Sequence, residues 1–422
     1  MKMRIRSIGK IFKEEKKMKA RVLIASFLIL GLAAMLMTPA MGMGVAPGKG
    51  KIAKADGNVI SVPTDYSTIQ AAIDAAQPGA KIMVEPGTYA GAVISKPIEI
   101  IGSGDDTVIT SGVTVTNPGH QVYGQIFGVN YYIKAGFYIP KGHAADGAKI
   151  SNFKIDCKDD SEIPFLLGVY AEGADNITVS HMTITNPLWG IGNFGGKGWE
   201  ITHNTVRGFN QSYVTVAGIV EGIGILINGN SGYDSNPDSV SNNLVAFNTI
   251  IAENLSTPPT PRNPYALAVW IGINLDSSSI PDLSPSYIWM WLDAPVEENK
   301  VVHNKIVVSG FSNLGPGYIG GIYMVNWRTL PCPWPLFPFC SLYGDPTIVV
   351  KNNLIGFNDL RGCAFINPYD PTKTEVAEIV AWPPELITMQ VISRNLGTNR
   401  AIAINEEGLT KYLASRFKPV IK

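Results

Sequence analysis

The sequence predicts an all-β fold built as a parallel β-solenoid, and three observations predict it. A short pattern recurs along the chain: apolar, x, x, usually Asn, x, apolar. A second kind of strand, ending in Asn, lies between its copies. No helix-length periodic run separates the two, which excludes βαβ units. Composition agrees. Of 422 residues, 43 are Gly, 29 Pro and 29 Asn, a mixture rich in turn formers that opposes a helical bundle or coiled coil. Hydrophobic residues at 45% supply ample core matter, which opposes disorder.

From the N-terminus, nine Lys/Arg between Lys2 and Arg21 precede an apolar run from Val22 to Met37. That run is short for a spanning helix and right for a signal-peptide core. Residues 1–40 therefore read as a signal peptide or, alternatively, an N-terminal anchor, with Thr38-Pro39-Ala40 the candidate cleavage site. Residues 41–57 read as a flexible leader and 58–422 as one solenoid domain. Without the first forty residues the chain holds 25 basic against 32 acidic residues, a net charge of −7. An acidic body without a basic stripe argues against nucleic acid as partner. The expected location is secreted or at the cell surface, with membrane contact only through the N-terminal segment. The sequons at Asn176, Asn210 and Asn254 matter only in a glycosylating host.

Ser67 to Gln70 reads as a capping box, and Ile69, Ala72, Ile73 and Ala76 form one helical stripe before Pro78-Gly79. This helix would cover the open N-terminal end of the solenoid. Glu406 to Phe417, apolar at Leu409, Tyr412, Leu413 and Phe417, would cover the other.

Copies of the recurring pattern begin at Ile150, Val179, Ile201, Val245, Val301, Val349 and Ile392. The second strand ends at Asn193, Asn228, Asn274, Asn326, Asn367 and Asn405. The interval of 22 residues between Val179 and Ile201 is about one bare solenoid turn, and longer intervals are a turn plus loops. Asn at a repeated corner can bond the next turn's amide and tolerates the left-handed backbone region. Cys157 and Cys363 fall on strands and read as buried thiols, while Cys332 and Cys340 bracket one loop and read as a disulfide.

Residues Tyr66 to Gly79, Ile82-Met-Val-Glu-Pro-Gly-Thr-Tyr89 and Lys96 to Gly104 resemble the opening of right-handed parallel β-helix proteins of the pectate-lyase-like superfamily. The same segment is similar to β-helix proteins linked to copper insertion into nitrous oxide reductase. The resemblance implies a right-handed parallel β-helix with three strands per turn and a substrate groove along the first strand. The Asn-ended strand looks like that first strand. Long insertions flank it: 208–220, 255–266 and 311–318 before, and 229–240, 275–299, 327–346 and 368–385 after. Long loops on one flank of a solenoid mark its binding side.

Those loops carry Trp289, Trp291, Trp327, Trp334 and Trp382, and Trp270 is expected to face outward from the strand itself. Trp and Tyr faces suit sugar rings, so polysaccharide is the expected partner, with Trp270, Trp327, Asn274, Asn326 and Asn367 as binding residues. The bland alternative is that the rings pack loops onto the barrel. For catalysis, Asp276, Arg328 and Asp370 each follow the terminal Asn of consecutive turns by two or three residues. Turns spaced about 4.8 Å apart would set the carboxylates roughly 10 Å apart, near the separation for inverting hydrolysis. An inter-turn salt bridge is the alternative, and enzyme status stays open between polysaccharide lyase, glycoside hydrolase and a non-catalytic adhesin-type surface protein. Asp156, Asp159, Asp160 and Glu162 crowd one loop, where oxygen ligands would suit Ca2+; a solvated acidic loop is the alternative. His181 and His203 occupy the same place on adjacent turns, which raises copper handling as a third reading against a stacked polar corner.

Overall fold

In the computed structural model, residues 59–116, 132–158, 162–209, 219–229, 240–253, 268–276, 295–309, 318–319, 321–325, 350–361, 363–366, 374–375, 379–382, 387–388, 390–396 and 401–403 are described. They form a parallel β-helix. The N-terminal segment 1–40, the leader 41–57, the helix expected from Glu406, and the Cys332–Cys340 bridge lie outside them.

Short β-branched strands stack rung on rung in three parallel sheets. The lateral sheet contains Ala92–Val93, Tyr132–Ile139, Phe165–Glu172, Trp189–Phe194, Ile219–Asn228, Ala268–Asp276, Gly321–Val325, Ile379–Trp382 and Ala401–Ala403, each parallel to the next. Val113–Thr116 pairs antiparallel with Tyr132–Ile139 on this sheet. The second sheet is double. Lys149–Asp156 pairs through its first half with Thr178–Ser180 and through its second with Thr183–Thr185. Both runs then continue as separate stacks, from Glu200–Thr202 to Val391–Ser393 and from Thr205–Arg207 to Lys305–Ser309. A third, short sheet stacks Val240–Ser241, Val296–Glu297, Val350–Lys351 and Ile387–Thr388.

The register explains the sequence pattern. Val179, Ile201, Val245, Val301, Ile355 and Ile392 form one inward column, and Ile155, Ile184, Val206, Ile250 and Ile306 a second. All but the half-buried Ile392 are buried in one continuous core. Each buried Ile or Val stabilises the rung by about 1.5–3 kcal/mol. Val301 pairs with Ile355, not with Val349, so the copy expected at Val349 belongs to the preceding corner. The true repeat there runs from Ile355 through Asn358 to Leu360.

Between the two halves of the double sheet the chain turns in two residues. The first is left-handed: Asn152, His181, His203, Phe247, His303, Phe357 and Arg394 have φ between 54° and 62°. The second turns inward. Asn204, Asn248, Asn304, Asn358 and Asn395 are buried and joined amide to amide at 2.9–3.0 Å. Each of these Nδ2 groups also donates to a carbonyl of the neighbouring rung, as from Asn304 to Val245 O. A second column, five residues earlier in each rung, joins Asn243, Asn299 and Asn353 and ends on Gln390. Buried amides satisfied on both N–H and carbonyl sides escape the desolvation cost of an unpaired polar group.

The N-terminal helix α1 (Ile69–Ala75) forms as expected, with Ile69, Ala72 and Ile73 buried. Its N-cap is Thr68, one residue later than the Ser67 box predicts, and Thr68 Oγ1 accepts from Ala71 N at 3.1 Å. Gln70 therefore leaves the cap and instead bridges to the main chain of Val93. The strand expected to end at Asn367 departs further. Ala364–Ile366 pairs antiparallel with Tyr318–Ile319 and Thr374–Glu375 in a separate sheet, and Ile379–Trp382 takes its place in the lateral sheet. Among the described residues no helix is long and apolar enough to cross a membrane.

Candidate functional site

The lateral sheet differs from the others in what joins it to the rest of the rung. Its strands connect through the long segments 210–218, 230–239, 254–267, 277–294 and 326–349, whereas the corners of the double sheet take two residues. Its inward residues, such as Val169, Ile191, Ile225 and Ile273, belong to the main core. Its outward residues build a second apolar cluster that includes Leu167, Tyr170, Trp189, Phe194, Ile223 and Leu226, with Tyr138 half-buried at its edge. The rings touch in sequence. Tyr138 lies 5.9 Å from Tyr170, Tyr170 lies 5.1 Å from Phe194, and Trp189 lies 5.5 Å from Phe194.

Among these rings sits Glu172, only 4% exposed. Among the side chains whose burial is described it is the one buried carboxylate. Tyr170 donates its hydroxyl to Oε1 at 2.8 Å, and Tyr138 donates to Oε2 at 3.4 Å. Burial, the charge of Glu172 and this hydrogen bond push the Tyr138 phenol far above its ordinary range. Tyr138 therefore stays protonated at physiological pH and acts as a donor rather than a base.

Register places Phe194, Asn228, Asp276 and Val325 in the column of Glu172. Asp276, the last residue of Ala268–Asp276, thus shares that column by backbone register. It stands three rungs from Glu172, about 14 Å at the usual spacing between strands. The terminal asparagines do not share one column. Asn193 pairs with Ile227 and is buried inside the barrel, where its Nδ2 donates to Asn243 Oδ1 at 3.3 Å. Asn274 pairs with Leu226 and Tyr323, and so falls in the column of Tyr170. One-residue shifts reverse the face of a strand residue, and spacing alone missed them. Trp270 pairs with Glu221 through its backbone. The side chains of Trp270, Asn274 and Asp276 lie outside the described residues, as do Asn326, Trp327, Arg328, Asn367 and Asp370 altogether. Ala364–Ile366, the strand before Asp370, pairs outside the lateral sheet and is not the third of three consecutive rungs.

Two other expectations can be placed. Asp156 accepts from Thr185 Oγ1 at 2.7 Å and pairs with Lys158 at 3.7 Å, while Glu162 is exposed and Asp159 and Asp160 lie outside the described residues. His181 and His203 do stack, 5.0 Å apart with planes 2° from parallel. Imidazole lone pairs lie in the ring plane, so the two parallel rings as stacked do not aim at one ion between them. The rings instead continue an exposed pile: Phe247, His303 and Phe357 follow at 5.0–5.1 Å, and the Arg394 guanidinium closes it 5.4 Å from the Phe357 ring. The buried Cys157 thiol is raised well above its ordinary range by burial and by Asp156.

Sequence reasoning missed Glu172 and the cluster of His143, Asp146 and Asp175. Phe165–Glu172 lacks a terminal Asn, and in sequence Glu172 looks like an ordinary solvated carboxylate until the outward cluster that buries it is seen.

No protein-family profile matches the chain, and no curated protein does. Among solved structures it is similar to the alginate lyase from Paenibacillus sp. str. FPU-7, with 13% identity, 82% of this chain and 98% of that chain covered, and a TM-score of 0.39. It is similar to the tailspike protein of E. coli bacteriophage HK620 in complex with pentasaccharide, at 10% identity, coverage of 83% and 58%, and a TM-score of 0.40. It is also similar to a surface adhesin of Streptococcus pneumoniae, at 13% identity, coverage of 82% and 79%, and a TM-score of 0.38. The chain thus spans somewhat more than half of the tailspike's length.

Proposed function

We propose that this is an exported β-helix protein that binds a neutral polysaccharide on the lateral-sheet side, at the half-buried Tyr138 edge of the outward ring cluster, without cleaving it. The observation that carries the reading is Glu172. A charge buried outside the main core costs free energy unless it is hydrogen-bonded, and such groups concentrate at functional sites. Here it is held by two tyrosines, one of them half-buried, on the sheet whose later strands, from Ile219–Asn228 to Gly321–Val325, carry long connections. With its proton held by Glu172, the half-buried Tyr138 phenol offers its oxygen lone pair to a sugar hydroxyl, and the neighbouring aromatic edges supply the apolar surround. The acidic body favours neutral chains over polyuronates.

Spacing supports binding over hydrolysis. Paired carboxylates work at about 5–5.5 Å or 6.5–9.5 Å, and the roughly 14 Å between the rungs of Glu172 and Asp276 exceeds both. Affinity electrophoresis in gels cast with arabinoxylan or with polygalacturonate tests the reading. Retardation by arabinoxylan is expected, weakened in Glu172→Gln and Tyr138→Phe, with no new reducing ends. Equal migration of wild type in blank and arabinoxylan gels would sink it. Release of reducing ends would restore the hydrolase reading.

A further inference from the structure

We infer that His143, Asp146 and Asp175 form a binding site for a first-row divalent metal ion such as zinc. His143 and Asp146 lie on the corner after Tyr132–Ile139, and Asp175 lies on the corner after Phe165–Glu172, one rung along. Main-chain bonds lock the two corners together: Gly142 N donates to Glu172 O, and Gly147 N to Asp175 O.

The carboxylates are oriented by the backbone, not by each other. Asp146 Oδ1 accepts from Asp175 N at 2.8 Å, and Asp175 Oδ1 accepts from Lys197 N at 2.8 Å. With Oδ1 held in each, both Oδ2 atoms turn to the same imidazole nitrogen: His143 Nδ1 lies 3.2 Å from Asp146 Oδ2 and 3.8 Å from Asp175 Oδ2. One donor atom from each of the three lies within 4.8 Å of the others. Ligands at 2.0–2.2 Å around a tetrahedral ion sit about 3.4 Å apart, so small side-chain movements would close the site. Main-chain donors that fix the far oxygen of a ligand are the usual outer support of a metal centre.

The donor set selects the ion. One imidazole nitrogen with two carboxylate oxygens suits zinc, manganese, cobalt or nickel. Calcium takes six to eight oxygens, and copper(I) prefers sulfur. Two converging carboxylates also repel each other, and a dication removes that repulsion. Three protein ligands leave coordination positions open, and His143 is more than half exposed, so water completes the shell.

Isothermal titration of the EDTA-treated full chain with Zn2+ at pH 7.5 tests the site. One zinc per chain is expected, with binding weakened roughly tenfold or more in His143→Ala and in Asp175→Asn. His181→Ala/His203→Ala should bind as wild type. Co2+ should give a visible absorption band in wild type that His143→Ala loses, which separates lost ligation from lost fold because His143 is exposed. Absence of stoichiometric zinc in wild type, or unchanged affinity and cobalt spectrum in His143→Ala, would overturn the assignment.

Discussion

The double sheet and the lateral sheet are made of the same kind of strand but treat their outer faces oppositely. In the double sheet the inward side is a hydrocarbon column edged by buried Asn amides, and the outward corner is an exposed pile of rings. In the lateral sheet the outward side is itself buried, and it holds rings around a carboxylate. One region is therefore constrained from inside only, and the other from both sides. The lesson is that the Asn columns serve the fold, while the residues the fold does not explain collect on the lateral sheet.

The largest effect that tests this contrast is loss of an inner amide. Asn304→Ala removes the acceptor of both the Asn248 backbone N–H and its Nδ2, and leaves Val245 O without its Asn304 donor. Each buried polar group so stranded costs about 1–3 kcal/mol, so urea unfolding should show a loss of about 3 kcal/mol or more. A loss below 1 kcal/mol would mean that the column decorates rather than holds the corner.

On the lateral sheet the comparable change is steric. A Cβ on Gly190 would stand 2.5 Å from Gly224 O and 2.8 Å from Val206 Cγ1, so Gly190→Ala should cost about 1–3 kcal/mol in the same assay. The exposed ring pile should matter less. Phe247 is 51% exposed and stacks on His203 and His303, so Phe247→Ala should cost about 1 kcal/mol and leave glycan retardation unchanged.

The smallest effect is a pH dependence. Cys157 is held protonated in the folded state above its ordinary value of 9.0. A raised folded value contributes stability that is full below the unfolded value and fades as pH rises above it. Unfolding free energy should therefore decline above about pH 9, less so in Cys157→Ala, and iodoacetamide at pH 8 should label Cys157 only after unfolding.

How much of this the sequence carried follows from which residues repeat. Asn204, Asn248, Asn304 and Asn395 announce the corner because only a small amide fits both the turn and the stack. The second column went unread, although Asn243, Asn299 and Asn353 each precede an Asn of the first by five residues. At Val349-Val-Lys-Asn-Asn-Leu354 the spacing picked Asn352, on the preceding corner, while the Asn that continues the column is Asn358. The lateral sheet was less legible because Asn193, Asn228 and Asn274 look alike in sequence yet fall in three different columns. Glu172 and the His143 cluster left no periodic signal, since their partners come from neighbouring rungs that only the folded register brings near.

The central claim is that the lateral sheet, and not the double sheet, is the binding face. Hydrogen exchange with and without a retarding arabinoxylan oligosaccharide tests it most directly. The account predicts added protection in Phe165–Glu172, Trp189–Phe194 and Ile219–Asn228, with Thr183–Thr185, Thr205–Arg207 and Thr249–Glu253 unchanged. Protection confined to the latter strands, along the exposed ring pile, would contradict it.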